Sequence, residues 1–207
     1  MRSLMAAFAL LAVLASPVSA QQPRPSETAA SPDGSIVLTV STDNDERPVW
    51  SLSRKGKLLI APSSLGFLLT DGPALQRGFR IDSAERAQGD ATWELPWGER
   101  RFVRDRHTEL LIRFSQHESR GGHLMNVRFR LFDDGIGFRY ELPEQPGLKT
   151  AKIADELTEF DIASPGTAWW ITGGEWNRYE QIYQKTPIDA LATAHTPITI
   201  TGSASVK

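Results

Sequence analysis

Apolar and polar residues alternate in short runs along most of this chain, and the clearest run is 126–143, Asn-Val-Arg-Phe-Arg-Leu-Phe-Asp-Asp-Gly-Ile-Gly-Phe-Arg-Tyr-Glu-Leu-Pro. It reads as strand, tight turn, strand. Asp134-Gly135 suits a two-residue type I′ turn, because both residue types tolerate positive φ. That turn sets Leu131 against Phe138, Phe129 against Tyr140 and Val127 against Leu142, all on one face. The other face then pairs Arg128 with Glu141 and sets Arg130 against Arg139. Two facing arginines either reach into water or call for an Asp or Glu from a third strand.

Further strands are expected at 36–40, 49–53, 57–60, 65–70, 78–83, 91–97, 109–116, 153–162, 168–171 and 196–201. Turn residues such as Lys55-Gly56 and Gly121-Gly122 separate them. No stretch after residue 20 holds an apolar period of 3.6 beyond two turns. No repeat of fixed period is visible, which argues against propellers and solenoids. The pattern predicts an all-β sandwich or barrel.

The N-terminus departs from that pattern. Arg2 is followed by an apolar run from Leu4 to Leu14, too short to span a bilayer, and then by Val18-Ser19-Ala20. Residues 1–20 read as a signal peptide and 21–30, rich in Pro, Ser, Thr and Ala, as a flexible leader. A periplasmic or secreted bacterial protein is expected, with no membrane insertion after cleavage. The chain has no cysteine, so its core must hold the domain without disulfides.

Composition is ordinary for a globular domain: 207 residues, 40% hydrophobic, 23% charged, net charge −2. Lys and Arg are dispersed, which gives no electrostatic case for nucleic acid. His117 and His123 do not have zinc-helix spacing, and there is no nucleophile elbow or phosphate-cradling loop. The adjacent carboxylates Asp133/Asp134 and Asp155/Glu156 read as turn and surface charge.

The stretch 168–180, Ala-Trp-Trp-Ile-Thr-Gly-Gly-Glu-Trp-Asn-Arg-Tyr-Glu, is the candidate for chemistry. Aromatic faces stack on sugar C–H surfaces, and Asn, Arg and Glu supply hydroxyl partners. Glu175 and Glu180 could offer oxygens to Ca²⁺, but two carboxylates cannot fill a shell of about 6–8 oxygens. The plainer alternative places the tryptophans in the core and the glutamates at the surface.

The order and spacing of several segments resemble the N-terminal domain of glycoside hydrolase family 97, bacterial exo-acting α-glucosidases and α-galactosidases. They are Pro62-Ser63-Ser64-Leu65-Gly66, Trp93 with Pro96-Trp97-Gly98-Glu99, and Arg104-Asp105-Arg106-His107-Thr108-Glu109-Leu110. Arg128-Phe129-Arg130 with Asp134-Gly135-Ile136-Gly137-Phe138-Arg139-Tyr140, Trp169-Trp170-Ile171 and Tyr179-Glu180 complete the set. The resemblance implies a β-supersandwich over 31–201, packing on a (β/α)₈ barrel that carries the catalytic carboxylates. It implies that this domain contributes one calcium ligand to a shared active site, matched here by Glu180. Trp176, Asn177 and Tyr179 beside it are then the expected substrate-binding residues, for an α-glucoside or α-galactoside. Residues 202–207 read as a truncated end, with the barrel absent and the chain alone inactive. The loop 172–176 departs from the family's proline-containing version. The competing expectation is a free-standing secreted β-sandwich that binds carbohydrate or protein without catalysis.

Overall fold

The computed structural model describes residues 25–175 and 177–202. The expected signal peptide, Trp176 and residues 203–207 lie outside the described residues. Among the described residues, all regular structure apart from two 3₁₀ turns is β-strand. No described helix is long and apolar enough to cross a membrane.

Two four-stranded antiparallel sheets form the sandwich. The first has the order β1 (Glu27–Ala30), β2 (Ile36–Thr42), β3 (Pro48–Arg54), β4 (Lys57–Ser64). The second has the order β10 (Ile136–Glu141), β9 (Leu124–Leu131), β8 (Phe102–Gln116), β7 (Phe79–Glu94). Leu38, Val40 and Trp50 of the first sheet share one core with Ile112, Phe114, Val127 and Phe129 of the second. Alternation along each strand delivers these side chains to one face. Trp50 lies within 6.5 Å of Phe129, 5.5 Å of Phe138 and 5.2 Å of Phe160 (ring centroids), and its indole N–H donates to the Glu159 carbonyl at 3.2 Å. That bond satisfies a polar group that burial would otherwise strand.

A three-stranded sheet closes one end, with β5 (Phe67–Leu69) between β11 (Ile153–Glu156) and β6 (Ala74–Leu75). A second three-stranded sheet has β12 (Gly166–Trp170) between β13 (Gln184–Pro187) and β14 (Thr199–Gly202). The architecture is the expected all-β supersandwich.

Several local expectations need correction. Residues 27–30, read as part of a loose leader, form edge strand β1, paired from Glu27↔Val40 to Ala30↔Val37. Arg86 ties it down from β7, reaching the Thr28 carbonyl at 2.9 Å and the Glu27 carboxylate at 2.7 Å. Residues 79–83 and 91–94 of two expected strands belong to one strand, β7, and 95–97 lie in the turn that follows it. The intervening Glu85 to Asp90 shows no alternation, and pairing with β8 supplies the order instead. Of the expected strand 153–162, only Ile153–Glu156 is strand. The rest runs irregularly beside β4, held by bonds such as Glu159 N–H to the Ser64 carbonyl (2.9 Å).

The β9–β10 hairpin is offset by two residues from the expected register. Leu131 faces Ile136, Phe129 faces Phe138 and Val127 faces Tyr140, leaving the loop 132–135. An even offset keeps every side chain on its expected face. It also sets Arg128, rather than Arg130, against Arg139. The carboxylates that this pair calls for are present. Glu141 accepts from Arg128 (2.6 Å) and Arg139 (2.9 Å), and Glu109 of β8 accepts from both Arg128 and Arg130.

Candidate functional site

The aromatic stretch 168–180 begins in β12 and leaves the sheet at Ile171. Alternation separates its first two tryptophans. Trp170 turns inward and donates to the Thr186 hydroxyl at 3.1 Å, whereas Trp169 is exposed, with the Lys185 ammonium 4.9 Å from its ring centroid. The core placement that the sequence offered holds for Trp170, whereas Trp169 lies at the surface.

Past β12 the backbone is fastened to 193–196. Gly173 N–H donates to the Thr193 carbonyl (2.8 Å), and His195 N–H to the Ile171 carbonyl (3.1 Å). A side chain at Gly173 would collide with the backbone of Ala194. This close approach makes the Gly-Gly pair a point of departure for the loop. Tyr179 anchors the far side. Its hydroxyl donates to the Thr196 carbonyl at 2.6 Å, and its ring lies 5.4 Å from that of His195.

Glu180 follows this anchor directly. It is exposed and makes no hydrogen bond or ion pair with any described residue. Asn177 and Glu175 are exposed on the same loop, and Ile182, 92% exposed, and Tyr183 continue the open surface. Asn177, Tyr179 and Glu180 are thus all exposed on the segment that follows β12. Tyr179 is exposed as a residue while its hydroxyl is engaged by its own chain. Among the described residues, no three of His, Cys, Asp and Glu gather as a metal site. The described residues of this chain do not themselves complete a calcium shell, and Glu180 alone would be one oxygen donor towards it.

A cleft of about 620 Å³ lies between the two parts of the molecule, walled by Phe160 and Ile162 on one side and Leu191, Ile198 and Ile200 on the other. Its lining is mainly apolar, with Asp161, Asp189 and Thr196 also present, and no residue of the Tyr179–Glu180 segment lines it. Trp97, expected at the end of a strand over 91–97, stands instead on the β7–β8 turn and is 84% exposed. Two tryptophans beside Pro-x-Gly mark a turn, but their exposure depends on what lies opposite them.

A model of the glycosyl-hydrolase 97 N-terminal domain matches residues 29–207. The chain belongs to that family. Among solved structures, a family 97 glycoside hydrolase from Pseudoalteromonas sp. strain K8, in complex with panose, superposes with a TM-score of 0.80 at 39% identity. The match covers 86% of this chain and 27% of that one. A probable retaining α-galactosidase of Streptomyces bingchenggensis is 32% identical over 57% of this chain and 17% of its own length. The retaining α-galactosidase of Bacteroides thetaiotaomicron is 25% identical over 68% of this chain and 20% of its own. The chain thus spans about a fifth of the curated relatives it matches. It is a family 97 N-terminal domain with a β-supersandwich fold, consistent with an accessory module of a glycosidase.

Proposed function

We propose that this chain is the N-terminal module of an exo-acting α-glycoside hydrolase working outside the cytoplasm. It packs on a catalytic barrel and donates Glu180 to a calcium ion in their shared active site. The observation that carries this reading is the pairing of a fastened loop with a free carboxylate. Hydrogen bonds at Gly173, Tyr179 and His195 hold the backbone on both sides of the turn, while Glu180 is left exposed without a partner. A charged oxygen ligand held on a braced backbone binds at a lower ordering cost than one on a loose chain.

Trp176, Asn177 and Tyr179 border the sugar in this reading. Tyr179 offers its open ring, and Asn177 offers an amide that can both donate and accept. The carboxylates that protonate the glycosidic oxygen and assist its departure belong to the barrel. Calcium, when bound, fixes charge and geometry beside them.

The test is calcium binding. The chain fused to a family 97 barrel is titrated calorimetrically, alongside its Glu180→Gln variant. The wild-type fusion should bind one calcium ion that the separate chain does not bind. The variant should lose at least about tenfold in affinity, with kcat reduced. Equal affinity in the two fusions, or activity indifferent to chelation, overturns the assignment.

A further inference from the structure

The β7–β8 ribbon carries aromatic side chains that neither the core nor the Glu180 loop uses. β9 pairs with β8 only between Thr108 and Ser115, so Phe102–His107 pairs with β7 alone. The pair runs on as a two-stranded arm that ends in the turn 95–101. Trp97 stands on that turn, and Trp93 and Phe102 flank it, all exposed.

We propose that the tip of this arm is a carbohydrate-binding site, with Trp97 stacking on a pyranose ring of a short α-linked oligosaccharide. The arm is braced against bending. Arg104 forks onto Asp90 through two bonds of 2.8 and 2.7 Å, Arg101 bonds Glu94 at 2.8 Å, and Leu95 N–H donates to the Arg101 carbonyl at 2.8 Å. Trp97 therefore sits on an ordered turn, and stacking on it has only a small ordering cost.

The arrangement fits a sugar better than a protein partner. Trp93 lies opposite Val103, and Phe102 lies opposite Glu94. Opposed residues share a face, so the two rings occupy opposite faces of the ribbon. A protein interface is built around a contiguous desolvated apolar centre, and Trp93 and Phe102, on opposite faces, do not jointly form one. A pyranose asks for less: one flat aromatic face for its C–H surface, and donors and acceptors at its edge. Trp97 supplies the first; Glu99 and Arg100, exposed on the same turn, supply the second.

The choice of ligand class rests on reading the chain as part of a carbohydrate-active protein; the location does not. The full 207-residue chain is titrated with panose while the tryptophan indole N–H signals are followed by NMR. The Trp97 signal should shift and saturate in the millimolar range. Trp97→Ala should lose at least about tenfold in affinity, with its urea midpoint unchanged because the ring supports no core. Lys57→Ala, an exposed position on β4, should bind as the wild type does; the Glu180 reading is tested by calcium and not by panose, so its failure leaves this result standing. The proposal is overturned by a Trp97 signal that panose does not move, or by undiminished binding in Trp97→Ala. Signals that respond to protein concentration instead of sugar would make the tip a contact between copies, and would also overturn it.

Discussion

Gly66 shows how much one position can carry. Its φ of +144° lies where a Cβ is strained, and a Cβ there would run into the Leu75 carbonyl oxygen. Its N–H donates to the Tyr140 hydroxyl at 3.2 Å, and its carbonyl accepts from Leu157 N–H at 2.9 Å. Gly66→Ala should therefore cost about 3 kcal/mol in urea unfolding, from strain and overpacking together. Gly135, with open space around it, is the control; Gly135→Ala should stay within about 0.5 kcal/mol. Gly89 meets a different constraint, because a Cβ there would enter the ring of His107, which is buried and bonded to Asp105. None of these needs was visible in the string of letters, since each depends on a residue distant in sequence.

Among the elements, the β9–β10 hairpin separates two levels of information. Which residues face the core was legible, because alternation is a local property of each strand. The register was not. Asp134-Gly135 suits a two-residue turn, yet the loop runs from 132 to 135, with Phe132 N–H bonded to the Gly135 carbonyl at 2.8 Å. β8 holds β9 from the other side and pairs Glu109 with Arg130, so a third strand contributes to the charge arrangement. Hydrogen bonds from Arg128, joined by those from Arg139, draw the Glu141 carboxyl down from 4.5 to about 2. Burial pushes Glu109 up, but bonds from Arg130 and Arg128 outweigh it and leave that carboxyl below its ordinary value. Both groups bind protons more weakly in the folded state than in the unfolded one. The stability they contribute is complete above about pH 4.5 and falls away as pH drops towards about 2. The urea midpoint of the wild type should decline across that window. Glu141→Gln should start lower at pH 7 and decline less. A wild-type midpoint that is flat from pH 5 to 2 contradicts this account.

For the whole molecule, the division of the core matters most. The sandwich shares one apolar cluster, which takes in both four-stranded sheets and the β5–β6 closure. Ala168, Trp170 and Ile171 of the small sheet are buried but stand outside that cluster. Hydrogen exchange should accordingly find two levels of protection. Amides of β12 and β14 should open at lower free energy than those of β3, β8 and β9, because less apolar burial opposes their opening. Uniform protection would show instead that the two parts unfold as one. The small sheet is also the one that carries the Glu180 loop, so the candidate site rides on the part with the least shared core. The sequence by itself determined the all-β class, the strand faces, the lack of disulfide support and the aromatic loop as the place to look for chemistry. Those follow from local periodicity and residue type. Only the tertiary structure decided the register of the hairpin, the joining of two expected strands into β7, the ordering of β1, and which tryptophans meet water. Each of those turns on pairing between residues far apart in the chain, and such pairing leaves no periodic trace in either partner alone.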